Sequence, residues 1–196
     1  YFALKISESK SKLGINSIGI MSFVFHKILF NPPTPSYTSL SFPGELCNLN
    51  GTLCLFLPSP VPSAHVMIYC HANSTDIGLR RKYLSEIGED LGLNIIAIEY
   101  PGYGASKGSP SETSLNACLQ RVYEFLRFEL SVPPQCIILV GRSVGTGPAV
   151  MLASKCEVGA LILVSAFTSI KATVKHKVRL AARLVSERWD SLSNIC

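Results

Sequence analysis

The stretch ILVGRSVGTGPAV, residues 138–150, places an apolar run directly before three glycines and one serine. Residues 137–140 predict a buried strand, and the residues from Pro148 onward suit a packed helix. Gly141, Ser143 and Gly145 therefore lie at a predicted strand-to-helix corner and match G-x-S-x-G, the pattern of a nucleophile elbow. In such a corner the serine is strained, its hydroxyl stands clear of the sheet, and side chains at the glycine positions would collide with neighbouring elements.

The pattern also arises by chance, so its meaning depends on the elements around it. Apolar runs predict strands over residues 52–57, 65–70, 94–100, 136–140 and 159–165. Helical spacing predicts helices over residues 78–91 and 111–130, after the elbow, and near residues 170–186. Within residues 111–130 we expect an inward face made of Leu115, Leu119, Val122, Phe125, Leu126 and Leu130. Strands that are apolar throughout and alternate with helices predict an α/β fold with a mostly parallel sheet covered on both faces.

Composition places the chain among globular domains. Its 196 residues are 47% hydrophobic and 16% charged, which suffices for the core of one domain or most of one. The net charge of +5 comes from scattered Lys and Arg, so we expect no nucleic-acid partner. Basic residues between positions 171 and 188 favour a solvated helix face, and contact with an anionic membrane surface stays open.

Seven cysteines are dispersed along the chain without a C-x-x-C pair or a metal-ligand spacing. Several lie in apolar, strand-like runs. This set favours buried thiols in a reducing compartment over a disulfide framework, and no metal site is expected.

The first 44 residues differ from the rest. The start lacks the order of a signal peptide, and the chain begins with Tyr1, as a fragment would. Residues 18–30 are apolar but too short to span a bilayer, and a helix packed on the domain is favoured over a segment resting on a membrane. Residues 31–44 are rich in Pro and Ser. We therefore predict a lead-in and linker over residues 1–44 and a partial catalytic domain over residues 45–196.

Three further loops follow predicted parallel strands, at the edge where Ser143 lies. They are HANSTD from residue 71, PGYGASKG from residue 101 and SAFTS from residue 165. Parallel sheets bind ligands at this edge. The backbone amides of Val144 and Asn73 are the predicted donors of an oxyanion hole. His71 could shape that loop or act as a base, and shaping is favoured because the histidine of this architecture follows the serine.

The loop YPGYGAS, residues 100–106, follows a strand and carries glycines. It lacks both G-x-G-x-x-G and G-K-[ST], so NAD and ATP are rejected and no cofactor is expected.

Four segments resemble a known family when taken in order: YCHANSTDIG, LGLNIIAIEYPGYGASKGSPSE, PPQCIILVGRSVGTGPAVMLASK and GALILVSAFTSI. They are similar to the alpha/beta hydrolase domain-containing protein 17 group, serine hydrolases that remove palmitate from protein cysteines. The resemblance runs from about residue 28 to the end and includes the lead-in PPTPSYT. It implies an alpha/beta hydrolase fold, Ser143 as nucleophile, HANSTD as oxyanion loop, and an acylated protein or lipid ester as substrate. The cysteine-rich start of that group is absent here.

The residues after Ser143 depart from the expected order of acid and then histidine. The only later Asp is Asp190 and the only later His is His176, which is the reverse order. We expect a truncated, inactive hydrolase that lacks its final strands and two triad members, monomeric, cytoplasmic and at most peripheral at membranes. A non-catalytic binding or scaffold protein and a lipid or small-ester hydrolase are the alternatives.

Overall fold

A computed structural model describes residues 29–169, 189–191 and 193 of the protein. Within these residues six strands form one sheet: β1 (Leu46–Leu49), β2 (Thr52–Leu57), β3 (Val66–Cys70), β4 (Asn94–Ile98), β5 (Ile137–Arg142) and β6 (Ala160–Val164). Their order is β1-β2-β4-β3-β5-β6. The pairs β4-β3, β3-β5 and β5-β6 are parallel, and β1-β2 and β2-β4 are antiparallel. The predicted mostly parallel sheet is confirmed.

In the described part of the chain, three α-helices with both ends described accompany the sheet: α1 (Ile77–Leu91), α2 (Glu112–Glu124) and α3 (Thr146–Ala153). A π turn, Phe125–Glu129, continues α2, and short 3₁₀ turns lie at Pro134–Cys136 and Ser143–Gly145. The Asp76 side chain caps α1 by accepting from Leu79 N–H, and α1 ends at Gly92 in the left-handed conformation. Ser111 and Ser114 form a reciprocal cap at the start of α2.

Helices cover both faces of the sheet, as predicted. The side chains of β3 alternate between two cores: Ile68 packs with α2, and Met67 packs with α1. All five residues of β3 are buried, as are the last four of β4. Central strands covered on both faces need apolar residues throughout, which explains why they were readable from the sequence.

The inward face predicted for residues 111–130 is correct in its first part and wrong at its end. Leu115, Leu119, Val122 and Leu126 are buried, but Leu130 is 57% exposed. The π turn shifts the helical periodicity after Glu124, and the chain leaves the helix at Leu130, so this side chain no longer faces the sheet.

The lead-in packs against the sheet from residue 29 onward. Phe30 and Tyr37 are 3% and 5% exposed and belong to the two opposite cores. Ser36 donates from its backbone and its hydroxyl to the Asp76 carboxylate. Residues 30–37 therefore form part of the packed structure, although the sequence suggested a linker, while the domain boundary at residue 44 stays a prediction.

The six cysteines within the described residues are free thiols, and Cys54, Cys70 and Cys118 are buried. In the described part of the chain, no helix has the length and apolar character needed to cross a membrane. Residues 1–28 and the helix predicted near residues 170–186 lie outside the described residues.

Candidate active site

Ser143 lies at the corner between β5 and α3. Its φ is +51°, a conformation that non-glycine residues rarely adopt. The turn is held by Thr146, a fully buried residue whose hydroxyl donates to the Ser143 carbonyl oxygen at 2.6 Å. A strained serine after a buried strand and before a helix is the geometry expected of a nucleophile elbow.

Gly141 and Gly145 are required by close approach of the main chain. A Cβ on Gly141 would lie 2.6 Å from the Gly145 carbonyl oxygen and 2.7 Å from Thr146 Cα. A Cβ on Gly145 would fall on the Cys70 carbonyl oxygen and 2.8 Å from that of His71. The elbow is therefore pressed against the chain that leaves β3, which brings Val144 next to the loop of Asn73.

The loop after β3 carries the second predicted oxyanion donor. Because Cys70 pairs with Gly141 in the parallel register, this loop and the elbow leave the sheet at the same edge. The Asn73 side-chain oxygen accepts from the Asn31 backbone N–H at 2.8 Å and from the Tyr103 hydroxyl at 2.5 Å. Asn73 is thus tied to both the lead-in and the loop after β4.

His71 is completely buried, and both ring nitrogens have partners. Nδ1 lies 2.8 Å from the Ala72 carbonyl oxygen, and Nε2 lies 2.8 Å from Glu99 Oε1. The second Glu99 oxygen accepts from the Tyr37 hydroxyl at 2.8 Å and the Ile77 backbone N–H at 3.2 Å. With both nitrogens engaged, His71 is not placed to take a proton from Ser143, in agreement with the favoured loop-shaping role.

The loop at residues 100–106 borders the same edge. Tyr100 and Tyr103 are fully buried and lie against the His71 ring, with ring centroids 4.1 and 5.3 Å away. The Tyr100 hydroxyl donates to the His71 carbonyl oxygen at 3.1 Å. Gly104, at φ +48°, leaves room for Glu99 and Tyr37, since a Cβ there would overlap both side chains. The loop therefore encloses the His71–Glu99 pair.

Burial holds the phenols at this edge in their protonated form to a higher pH than usual. It raises the pKa of Tyr37 and Tyr103, and the Glu99 charge raises both further. Burial also raises the pKa of Tyr100. All three hydroxyls therefore keep their protons at neutral pH and act as hydrogen-bond donors.

The fourth loop, after β6, contains Ser165 at φ +55° and Phe167. Phe167 and Phe30 both pack on Trp189, with ring centroids 6.3 and 6.1 Å away. Asp190 is half-buried, and hydrogen bonds from Ser193 lower the pKa of its carboxyl. His176 lies outside the described residues.

Glu99, Tyr37 and Thr146 were not identified from the sequence. One signal was present: Glu99 is a charged residue inside the apolar run NIIAIEY, and a buried acid needs a partner. Tyr37 pairs with Glu99 across 62 positions, and no local pattern marks such a pair.

An apolar cavity of about 550 Å³ lies at the opposite edge of the sheet, lined by residues such as Val66, Asn94 and Phe125. Val66 and Asn94 begin β3 and β4, whereas Ser143 follows the end of β5, so a strand length separates the cavity from the serine. This cavity is not an acyl pocket for Ser143.

Comparisons with known proteins agree with this fold. A family model described as alpha/beta hydrolase of unknown function (DUF1057) matches residues 75–186, more than half of the chain. Alpha/beta hydrolase domain-containing protein aho-3 of Caenorhabditis elegans is 32% identical over 175 residues, which cover 76% of this chain and 52% of that protein. Alpha/beta hydrolase domain-containing protein 17C of Homo sapiens is 37% identical over 116 residues, 59% of this chain and 35% of that protein. The chain thus spans about half or less of these relatives.

Solved structures show the same fold. An alpha-beta hydrolase from Vibrio vulnificus superposes with a TM-score of 0.62 at 17% identity, covering 94% of this chain and 65% of that one. An esterase of the bacterial hormone-sensitive lipase family superposes with a TM-score of 0.55 at 19% identity, covering 76% of this chain and 52% of that one.

Proposed function

Since this chain belongs to the alpha/beta hydrolase family and groups with the domain-containing protein 17 relatives, we propose that it is a serine hydrolase of acyl esters or thioesters with Ser143 as its nucleophile. One observation carries the proposal: the strained Ser143, at φ +51°, follows a buried strand and adjoins the loop of Asn73. A serine held in this way serves acyl transfer in the fold.

The proposed reaction begins when the Ser143 hydroxyl attacks the acyl carbonyl and gives its proton to a base. The negative oxygen of the tetrahedral intermediate accepts hydrogen bonds from the Val144 and Asn73 amides. Collapse expels the thiolate or alkoxide, which takes up the proton, and water then releases the acyl group from Ser143.

The base is the part of this reaction that the described residues do not supply. His71 is engaged on both nitrogens, and His65 precedes β3 at the opposite edge of the sheet. Without the base and its acid partner, turnover falls by several orders of magnitude, although the oxyanion hole and substrate binding retain about 10³ to 10⁴-fold over water. Because the described residues hold no such base, we expect weak turnover from the 196-residue chain unless His26 or His176, which lie outside them, supplies it.

The proposed substrate is a palmitoylated protein cysteine, as the resemblance to the domain-containing protein 17 group implies. Palmitoyl-thioester and short-chain thioester peptides separate this proposal from a small-ester hydrolase. Faster release of palmitate supports protein depalmitoylation, and preference for the short chain contradicts it.

Labelling with a fluorophosphonate tests the nucleophile directly, because the probe reacts with an activated serine and needs no turnover. In the complete protein we expect one label per chain, found on the Ser143 peptide by mass spectrometry and lost in Ser143→Ala. Ser165→Ala is the matched control, since Ser165 also follows a parallel strand and has φ +55°. Retention of the label in Ser143→Ala contradicts the assignment.

A non-catalytic binding protein is the second candidate, because neither histidine within the described residues, His65 or His71, is placed to act as the base. A folded chain that neither reacts with the probe nor hydrolyses either thioester would support it.

A further inference from the structure

Glu99 is a fully buried acid at the carboxyl end of β4, and the mechanism above gives it no role. Because Cys70 pairs with Ile98, the next residues on the two strands, His71 and Glu99, lie side by side. Glu99 collects three donors or partners: His71, the Tyr37 hydroxyl and the Ile77 backbone N–H. One carboxylate thus joins the lead-in, the start of α1 and the loop after β3.

The hydrogen-bond geometry of the pair requires a proton between His71 and Glu99. The Ala72 carbonyl only accepts, so the hydrogen of the neutral ring lies on Nδ1. Nε2 and Glu99 Oε1 would then face each other with lone pairs at 2.8 Å unless a proton lies between them. With that proton the buried pair carries no net charge, which limits the cost of burying it.

The bond from His71 to Ala72 controls the orientation of one peptide unit. In a planar trans peptide the carbonyl of Ala72 and the N–H of Asn73 point in opposite directions. When His71 Nδ1 holds the carbonyl, it therefore also sets the direction of the Asn73 N–H. The other side of Asn73 is held by Tyr103, through the Asn73 side-chain oxygen.

We propose that Tyr37, Glu99 and His71 form a positioning relay that aims the Asn73 amide at the oxyanion. The inference rests on the proposed hydrolase function, and it assigns these residues a task in that reaction without contact with the substrate. The relay begins in the lead-in, so residues far from the elbow in the sequence set the geometry of the oxyanion hole. A displacement of about 1 Å in a catalytic group can cost on the order of 100-fold in rate.

Two substitutions at Glu99 test the relay. Glu99→Gln can keep every bond, because its amide oxygen accepts from Tyr37 and Ile77 and its amide nitrogen donates to Nε2 of His71. Glu99→Met has a similar length but makes none of these bonds. Tyr69→Phe is the matched control, because it removes a buried hydroxyl that makes no hydrogen bond to Tyr37, Glu99 or His71.

Two readouts are measured well below the melting temperature of each variant. The first is the rate constant of fluorophosphonate labelling at Ser143, and the second is hydrogen exchange of the Asn73 amide by NMR. In Glu99→Met we expect labelling slower by about 10- to 100-fold and altered exchange at Asn73. In Glu99→Gln we expect the labelling rate constant and the Asn73 exchange rate to lie close to those of the unmodified chain. Tyr69→Phe should change neither.

A merely structural role of Glu99 predicts a different result: Glu99→Met melts earlier, but its folded form labels at the normal rate and keeps the Asn73 exchange rate. That result overturns the relay. If Glu99→Met does not fold, Tyr37→Phe removes one bond of the relay and is judged by the same two readouts against Tyr69→Phe. If the complete protein does not label, the proposed function fails, while exchange at Asn73 still decides whether the relay positions this amide.

Discussion

Gly145 shows how one missing side chain allows the elbow and the oxyanion loop to meet. Its own φ is −66°, so the position does not demand glycine for conformational reasons. Glycine is required here because the carbonyl groups of Cys70 and His71 occupy the space that a Cβ would need. Main-chain atoms cannot move aside as a flexible side chain would, so even alanine should separate the two loops.

We expect Gly145→Ala to destabilise the fold by about 2–3 kcal/mol or more, in the range of overpacked cores, and to abolish labelling of Ser143. Gly51→Ala is the control, since Gly51 has φ +84° but no atom within 4 Å of its Cβ position. This control should cost only about 1 kcal/mol and leave labelling intact. Urea unfolding and probe labelling provide the two measurements, and equal stability of both variants would contradict the close approach.

At the scale of elements, an ion pair joins the segment before β1 to α1. Arg81 donates two hydrogen bonds to the Glu45 carboxylate, and its guanidinium lies over the Phe42 ring, 5.3 Å from the centroid. The bond from Arg81 lowers the pKa of Glu45. A lowered folded-state pKa means that the stabilisation is present above the unfolded value, about 4.3, and is lost as the pH falls through the folded value.

We therefore expect Arg81→Ala to lower the free energy of unfolding by about 0.2–1 kcal/mol at neutral pH, the range for partly exposed pairs. The difference from the unmodified chain should shrink as the pH falls below about 4. Lys82→Ala is the neighbouring control, because Lys82 is 91% exposed and lies 3.9 Å from Glu86. A pH-independent effect of Arg81→Ala would show that its packing on Phe42, rather than the ion pair, stabilises this contact.

The elements differ in how far the sequence predicts them. β2 matches its predicted range, and the buried strands β3 to β6 lie within a few residues of theirs, because both of their faces require apolar side chains. β1 was missed, since it has only four residues and none is buried. The turn before β2 carried a usable signal, because Asn50-Gly51 is a hairpin dipeptide and both residues have positive φ.

The parts of the candidate site that depend on local spacing can be predicted from the sequence. The parts that depend on tertiary contacts cannot. Ser143 and the loop of Asn73 follow from a motif and from strand order. The partners of Glu99 come from segments 28 and 62 positions away, and only the folded chain brings them together.

At the scale of the whole molecule, Trp189 ties a late part of the chain to the helices of one face. It is 2% exposed, its indole N–H donates to the Asn116 side chain at 2.9 Å, and Gly147 of α3 lies against its ring. Its backbone N–H donates to Glu112 at the start of α2. Trp189 is the single tryptophan of the chain, so its fluorescence reports on this contact alone.

We expect Trp189→Ala to lower the free energy of unfolding by about 3–5 kcal/mol, as for other buried aromatic residues. Phe128→Ala, at a ring that is 74% exposed, should change it by no more than about 0.5 kcal/mol. In the unmodified chain, the fluorescence and circular dichroism transitions in urea should coincide if this contact belongs to the cooperative core. A fluorescence transition at lower urea would show that residues near Trp189 detach first.

The relay through Glu99 also has a consequence for the newborn chain on the ribosome. Tyr37 and His71 are synthesised 62 and 28 positions before Glu99, so both wait without their partner while the intervening segment is made. During synthesis, domains generally fold as units. We therefore expect the loop of Asn73 to take its final form only after β4 has left the exit tunnel. Ser143 emerges later still, so the oxyanion loop and the elbow can meet only when β5 joins the sheet beside β3.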